Sequence, residues 1–403
     1  MFTRGGFRGS LMFHVPRLLF VVEHPFSPRD EVRFGIAYLK MHFDVEVLDA
    51  AGCGSSVYRH PSYTYEPPSW VRVADTVAGA VAAVSLSSPS VVVSNLGPTP
   101  LRTAVFAAAR SVGSVTVEFV LGCTPGDVRS ERGIAARVRR KVQQSPSVVD
   151  LVRSLAARRR DMSHVSIVPD VRVVAGAAMR ECHARLVRTV LPAHSLDWDT
   201  YLRASGSART DEASRPYALY LDQEMGYHPD YRVSHLRVPI RPRGFYRALN
   251  RYFRRLEDES GLEVVVAAHP RADRPRLTRR LPGWRVTDQP TVDAVAGASL
   301  VLTHNSTAAS FAAAWRRPLV VLADGDLLGS WEGPFTIALA ESLGAPIDMI
   351  DGDFAPTVPT QVDEDRYLRF VRDYLTEMPD DRRPSWAIIA ESLHALVSPA
   401  ASD

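Results

Sequence analysis

Short apolar runs rich in β-branched residues alternate along the chain with longer stretches whose apolar residues recur at helical spacing. This pattern predicts parallel βαβ units, because a strand buried on both faces is a continuous apolar run and its crossover is usually a helix. In the first half the predicted strands are 18–22, 45–48, 91–94, 115–119, 165–168 and 171–175. The helices predicted between them are 33–41, 71–84 and 101–112.

The second half repeats this pattern after a break. The alternation stops near 191–199, and residues 203–216 form a polar stretch typical of a linker. Further strands are predicted at 217–221, 263–268, 284–287, 300–303 and 319–322. Helices are predicted at 245–260, 291–298, 308–316, 367–377 and 386–396. The sequence therefore predicts an α/β protein with two Rossmann-like halves.

Length and composition agree with two folded domains. The chain has 403 residues, whereas a single domain typically has about 150. With 46% hydrophobic and 23% charged residues it is not a disordered chain, and no apolar run approaches the about 18 residues of a transmembrane helix. Residues 1–16 lack the apolar core of a signal peptide, so we expect a loose leader and a cytoplasmic protein.

Charged residues and cysteines exclude several classes of site. The net charge of +3 is too small to indicate a nucleic-acid partner. Lysine occurs only at Lys40 and Lys141, and neither precedes Ser or Thr, which excludes a P-loop. Cys53, Cys123 and Cys182 are far apart and form no Cys-x-x-Cys pair. We therefore expect a reducing compartment and no structural zinc.

One stretch is strongly basic. Residues 128–161 contain ten basic side chains and three acidic ones. A solvated helix face would explain such a run. The alternative is a patch that contacts an anionic membrane, giving a peripheral location on the inner leaflet, or a polyanionic glycan.

Polar motifs follow two predicted strands of the second half. They are His269, Pro270 and Arg271 after one strand, and His304, Asn305, Ser306 and Thr307 after another. The proline ends its strand and leaves His269 at the strand end. Ser306 or Thr307 is expected to cap the next helix, whose N-terminal N–H groups attract anions. Each motif alone fits a purely structural role, but the two together predict a phosphate site.

Candidates for a general base are acidic or histidine side chains that follow the first strand of each half. In the first half these are Glu23 and His24, and in the second half Asp222. Glu23 and His24 are slightly favoured. Three Asp-x-Asp pairs, at 197–199, 324–326 and 351–353, are close to what chance gives in a chain this rich in Asp, and 324–326 is interpreted as a turn, so no metal site is predicted.

Several segments resemble bacterial capsule and surface-polysaccharide glycosyltransferases of GT-B fold. They are 22–29, 192–202, 221–230, 267–271 and 303–307, and the His-Pro and Ser-Thr motifs are similar to those of sialyltransferases and Kdo transferases. The resemblance implies two Rossmann-like domains whose parallel sheets face an interdomain cleft. Residues 17–202 would bind the acceptor and 217–375 the nucleotide sugar, followed by a closing helix and tail at 376–403.

This resemblance also implies a reaction. The protein would transfer a sugar, with CMP-linked acidic sugars as the expected donors, to a glycan or glycolipid acceptor, with inversion and without metal or cofactor. His269 would contact the phosphate and assist departure of the nucleotide, and Ser306 and Thr307 would bind the same phosphate. The nucleotide-binding set also includes Pro270, Arg271, His304 and Asn305, and the cleft candidates are Arg29, Gln223, Glu224 and His228.

Three alternatives stay open from the sequence. The donor could be linked to UDP, GDP or CDP. The chain could be a 2-epimerase of the same fold. It could also be a catalytically silent partner in polysaccharide assembly, because fold alone does not decide function.

Overall fold

The computed structural model describes residues 15–53, 67–97, 99–122, 124–126, 142–145, 147, 167–206, 215–228, 231, 236–270 and 272–398. The chain divides into two compact units. The first unit comprises Met1–Glu118 and Trp386–Asp403, and the second comprises Phe119–Ser385. Arg271, residues 1–14, residues 207–214 and nearly all of the basic stretch at 128–161 lie outside the described residues.

The described strands form two parallel sheets. They are β1 (Arg17–Val22), β2 (Asp44–Asp49), β3 (Val71–Val73), β4 (Val91–Asn95), β5 (Val115–Val120), β6 (Val171–Ala175), β7 (Thr189–Ala193), β8 (Tyr217–Leu221), β9 (Glu263–Ala267), β10 (Arg285–Thr287), β11 (Leu300–Thr303), β12 (Leu319–Ala323) and β13 (Ile347–Met349). The seven-stranded sheet has the order β3-β2-β1-β4-β5-β6-β7, and the six-stranded sheet has the order β10-β9-β8-β11-β12-β13.

Helices follow most of the strands. They are α1 (Pro28–Arg33), α2 (Ile36–Leu39), α3 (Val77–Ser87), α4 (Pro100–Ser111), α5 (Ala177–Ala184), α6 (Leu196–Ser205), α7 (Pro242–Ser260), α8 (Arg274–Arg280), α9 (Thr291–Gly297), α10 (Ala309–Trp315), α11 (Gly325–Gly329), α12 (Gly333–Leu343), α13 (Glu364–Phe370) and α14 (Ser385–Val397). A π-helical turn, Val371–Leu375, continues α13.

The strand order of each sheet contains one reversal. The chain enters at a central strand, adds strands towards one edge, and then returns to the other side of the central strand. The reversal lies between β1 and β4 in one sheet and between β8 and β11 in the other. Ligands of open α/β sheets bind outside the carboxyl ends of the strands at such reversals. The carboxyl ends of β1 and β4, and those of β8 and β11, are therefore the places where a site is expected. Below, the term edge means this carboxyl end of a sheet.

The six-stranded sheet is buried on both faces. Along β8, Tyr217, Leu219 and Leu221 pack into one apolar core, while Ala218 and Tyr220 pack into the other. The longest helix, α7, covers the second of these cores with buried side chains at helical spacing, namely Phe245, Leu249, Tyr252, Phe253 and Leu256. Because both faces of the sheet are packed, the ends of its strands have fixed positions relative to one another.

Two predicted helices are interrupted in the structure. The segment 33–41 is divided between α1 and α2, because Gly35 between them has a φ of +55° and a Cβ there would overlap the Trp386 side chain. The segment 71–84 begins as strand β3, and its helix starts only at Val77. Thr76 caps that helix by accepting a hydrogen bond from the N–H of Gly79.

Other segments contain more regular structure than the pattern indicated. The stretch near 191–199, where alternation was expected to stop, forms β7 and the start of α6. Residues 203–205 of the predicted linker still belong to α6.

Residues 167 and 168 of the strand predicted at 165–168 are in no strand. Within the described residues, no helix is both long and apolar enough to span a bilayer.

Candidate functional site

Three strands of the second unit end side by side at the reversal of the six-stranded sheet. Leu221 pairs with Ala267, so the turns after β8 and β9 begin at neighbouring positions. Leu302 pairs with Tyr220, which brings the turn after β11 to the same edge. The site residues that the sequence predicts in the turns after β8, β9 and β11 therefore lie at the same carboxyl edge of the sheet.

Two histidines meet at this edge. The rings of His228 and His269 lie edge to face with centroids 4.7 Å apart. Both side chains are half-buried, and Pro270 beside them is exposed. The backbone N–H of His269 contacts the Asp222 carboxylate. The segment that carries Asp222 and His228 is thus in contact with His269, which lies in a separate segment of the sequence.

Beneath the histidines lies a buried pair of acidic residues. Asp222 is 3% exposed and Glu224 is 2% exposed. An Asp222 carboxylate oxygen accepts the N–H of Glu224 at 3.2 Å, and Glu224 Oε1 accepts the N–H of Asp273 at 3.3 Å. Glu224 has a φ of +48°, a strained conformation for a side chain of this type. Such strain concentrates at functional sites.

The Asp222 carboxyl titrates close to neutrality. Its pKa is raised to about 6, mainly by burial and in part by the nearby Glu224 carboxylate, while hydrogen bonds from backbone N–H groups and the charge of Arg280 oppose the increase. Below that pH the carboxyl is neutral, and above it the site carries one more negative charge. The charge at this edge therefore changes within the physiological range.

An amide pair connects the ends of β8 and β11. Gln223 Nε2 donates to Asn305 Oδ1 at 2.6 Å, and the backbone N–H of Asn305 donates to Gln223 Oε1 at 2.9 Å. Asn305 Nδ2 donates in turn to the buried Glu332 at 3.2 Å, and the Tyr231 hydroxyl donates to the other oxygen of Glu332 at 2.8 Å. Gln223 and Asn305 therefore hold two strand ends together.

His304 has a different environment from that predicted. Its ring is fully buried, with Nδ1 2.6 Å from the Leu322 carbonyl and Nε2 2.9 Å from the Tyr220 hydroxyl. Burial lowers its pKa to about 4. The neutral ring donates to the carbonyl and accepts from the hydroxyl. Both ring nitrogens are occupied inside the core, so His304 has no atom to offer to a nucleotide.

Ser306 and Thr307 lie at the surface of the same turn. Ser306 is half-buried and Thr307 is exposed. The N-cap of α10 is Ala308 rather than either of them, and the Ser306 hydroxyl accepts the N–H of Ala308 at 3.2 Å. The expected cap is thus displaced by one or two residues, because the chain makes a turn before the helix begins.

A recess of the second unit opens beside this turn. Its polar walls carry hydroxyl groups, and the Ser310 hydroxyl donates to Asp197 at 2.7 Å. The lining residues are Gly122, Thr124, Pro125, Ser195, Asp197, Ser306, Thr307, Ser310, Leu339, Phe370, Tyr374 and Leu375. A lining that combines hydroxyl-bearing and apolar side chains is suited to bind a small organic ligand with polar groups.

The first unit has its own polar cluster after β1. His24 Nε2 lies 3.4 Å from Asp30 Oδ1, and the His24 side chain is 26% exposed. Burial would raise the pKa of Asp30, but hydrogen bonds from His24 and Ser27 lower it overall. Glu23 lies beside Gly97, in the turn after β4, and Arg29 is exposed on α1. His24 is therefore oriented by an ionised carboxylate and remains accessible.

Three residues that contact the candidate site residues were not predicted from the sequence. They are Asp30, Arg280 and Glu332, whose acidic or basic groups contact His24, Glu224 and Asn305 respectively. Only Asp30 carries a local signal, because Ser27-x-x-Asp30 has capping-box spacing. The other two reach the edge from α8 and from the residue preceding α12, which no local pattern indicates.

Several side chains of the Asp-x-Asp pairs have hydrogen-bond or ion-pair partners within the protein. Asp324 caps α11 by accepting the N–H of Leu327 at 2.7 Å, and Asp326 pairs with Arg241 at 2.6 Å. Asp199 is buried and accepts the N–H of Ser385 at 2.9 Å. Among the residues that the structure describes, no three His, Cys, Asp or Glu side chains are grouped to hold a metal ion.

Comparisons with known proteins identify the fold. No family model matches the sequence, and no curated protein is similar to it. The glycosyltransferase SnogD from Streptomyces nogalater is 16% identical, with 96% of this chain and 100% of that chain covered and a TM-score of 0.50. A UDP-glucosyltransferase from Polygonum tinctorium is 12% identical, with 95% and 99% covered and a TM-score of 0.52. The chain has the GT-B fold of these glycosyltransferases.

Proposed function

We propose that this protein is a glycosyltransferase that moves a sugar from a nucleotide donor, expected to be a CMP-linked acidic sugar, to a glycan or glycolipid acceptor. The observation that carries the proposal is the contact between His228 and His269 at the carboxyl ends of β8 and β9, which lie beside β11 and the Ser306-Thr307 turn that follows it in the same parallel sheet. Nucleotide phosphates bind at such edges in open α/β sheets. The GT-B fold supports the same class of reaction.

The second unit supplies donors to the leaving group. When the bond between sugar and phosphate breaks, negative charge accumulates on the phosphate oxygen. His269 and the hydroxyl groups of Ser306 and Thr307 stabilise that charge, because fixed donors need little rearrangement during the reaction. Arg271, which follows His269 and Pro270 in the sequence and lies outside the described residues, is a further candidate cation for this set. The His-Pro and Ser-Thr motifs favour a CMP donor through their resemblance to sialyltransferases and Kdo transferases.

The first unit supplies the base. His24 accepts the proton of the acceptor hydroxyl, and that oxygen attacks the anomeric carbon of the sugar. The bond from this carbon to the phosphate oxygen breaks with its electron pair on the nucleotide, which inverts the anomeric carbon. Asp30 fixes the ring of His24 through Nε2 and stabilises the imidazolium formed. Glu23 and Asp222 are the alternative bases.

The test measures nucleotide release from CMP-, UDP-, GDP- and CDP-linked sugars in the presence of a surface-glycan acceptor. We expect release from one donor class, unchanged by EDTA because the charge is stabilised by protein groups. His24→Ala should slow transfer about a hundredfold or more, and Asp30→Asn should act in the same direction. The matched controls are His42→Ala and Asp44→Asn, which change similar side chains away from this cluster.

Two outcomes would contradict the proposal. Conversion of a nucleotide sugar without an acceptor would identify an epimerase. No turnover and no binding of any nucleotide would indicate a silent partner in polysaccharide assembly.

A further inference from the structure

Arg280, the last residue of α8, is buried under the edge that carries the two histidines. Its side chain is 9% exposed. The guanidinium carbon lies 3.3 Å from the centroid of the Tyr227 ring and 5.3 Å from that of Tyr246. Within the described residues neither terminal nitrogen makes a hydrogen bond of good geometry, and the Tyr246 hydroxyl lies close enough to interact with the guanidinium. Arg280 is therefore held by stacking and by charge, and not by a bidentate hydrogen bond.

The charged group that faces Arg280 is the carboxylate of Glu224. The Nη1 atom of Arg280 lies 3.9 Å from Glu224 Oε1, and both side chains are shielded from water. A buried carboxylate is costly unless a cation compensates it. The neighbouring Asp222 makes this need greater, because a second negative charge within the same small region repels the first. Arg280 is the cation paired with Glu224 in the described residues.

Glu224 in turn determines where the histidines lie. Its carbonyl accepts the N–H groups of Tyr227 at 2.7 Å and His228 at 2.9 Å. Its carboxylate accepts the N–H of Asp273, in the turn after His269. One strained residue thus connects the turn after β8, which carries His228, to the turn after β9, which carries His269.

We propose that Arg280 is a positioning residue of the phosphate site. Its charge keeps the Glu224 carboxylate in place and so fixes the two turns that present His228 and His269. The inference rests on the proposed function only in assigning phosphate binding to these histidines. The titratable groups that interact with Glu224 or Arg280 in the described residues are Asp222, Tyr227 and Tyr246, and His228, His269 and Asp273 lie in the two turns that Glu224 contacts.

The experiment compares four full-length proteins: wild type, Arg280→Lys, Arg280→Met and the double variant Arg280→Met with Glu224→Gln. Unfolding by urea is followed at about pH 8 and about pH 5.5. In Arg280→Met the buried carboxylates lack their cation, which disfavours their ionised forms in the folded state. The variant should therefore lose more stability than wild type as the pH rises through this window. Arg280→Lys keeps the charge, and the double variant removes the charge that Arg280 compensates, so both should show the pH dependence of wild type.

Binding of CMP provides the second readout. At about pH 8, Arg280→Met should weaken CMP binding about tenfold or more, with a smaller loss at about pH 5.5. The double variant should regain most of the affinity, because the uncharged amide introduced by Glu224→Gln can still accept the Asp273 N–H. A role in packing alone predicts a loss that is independent of pH and is not restored in the double variant, and this result would overturn the proposal.

The two readouts separate the proposals. If wild type binds no nucleotide, the proposed function fails, while the unfolding experiment still decides the role of Arg280. If wild type binds CMP but Arg280→Met unfolds with the pH dependence of wild type, the positioning role is wrong and the phosphate site stands.

Discussion

At the scale of single residues, identical sequence signals lead to different environments. His269 and His304 both follow a buried strand and precede a turn. His269 is half-buried beside His228, whereas His304 lies between Tyr220 and the Leu322 carbonyl inside the core. The difference depends on which residues of neighbouring strands point to the same face. That information lies in the strand order, and neither motif contains it.

The buried ring of His304 predicts a specific dependence of stability on pH. Its pKa is about 4 in the folded protein and 6.5 ordinarily, so the unfolded chain binds the proton more tightly. The stabilisation is complete above pH 6.5 and is lost as the pH falls towards 4, by up to about 3 kcal/mol. His304→Gln should flatten this part of the curve of unfolding free energy against pH.

Tyr220→Phe is the control for this prediction, because it removes a hydrogen bond to His304 but leaves the titrating ring in place. It should lower stability and keep a slope in the same pH window. If wild type and His304→Gln lose stability in parallel as the pH falls, His304 does not titrate as its environment indicates.

At the scale of elements, most of the predicted strands of the second half are confirmed, whereas two short edge strands and one helix are not predicted correctly. The strands predicted at 217–221, 300–303 and 171–175 are confirmed with the same ends. The three-residue strands β3 and β13 and the helix α12 were missed or interpreted as something else. A three-residue edge strand has too few side chains to show a period, and its neighbours in the sheet decide its structure.

The turn between β11 and α10 gives the prediction at this scale. Replacing both Ser306 and Thr307 by Ala removes one local hydrogen bond, from the N–H of Ala308 to the Ser306 hydroxyl, which is worth about 1 kcal/mol. The melting temperature should change little, while nucleotide affinity should fall about tenfold or more, because charge-assisted hydrogen bonds to a phosphate contribute about 1.5–3 kcal/mol. Thermal unfolding and equilibrium titration of the same samples measure the two effects.

Ser310→Ala is the matched control, since its hydroxyl donates to Asp197 in the same recess. It should alter stability to a similar extent and affect nucleotide binding less. A double variant that binds nucleotide as tightly as wild type would limit Ser306 and Thr307 to the local structure of the turn.

At the scale of the whole molecule, the sequence predicted the class of fold but not the contacts that complete its sites. Alternating strands and helices indicated two Rossmann-like halves, and the GT-B fold is confirmed. The reversals in strand order, the pairing of His24 with Asp30 and the ion pair of Arg280 with Glu224 were not predicted. Arg280 is one of many arginines in the chain, and only the packing of α8 gives it a partner.

The most direct test of the account is the binding of nucleotide at the edge where β8, β9 and β11 end. Wild type, His269→Ala and the control His42→Ala are titrated calorimetrically with CMP, UDP and GDP. We expect saturable binding of one nucleotide by wild type and by His42→Ala. In His269→Ala the affinity should fall about tenfold or more, with little change in melting temperature. Equal affinity of wild type and His269→Ala, or no binding of any of the three nucleotides, would contradict this expectation.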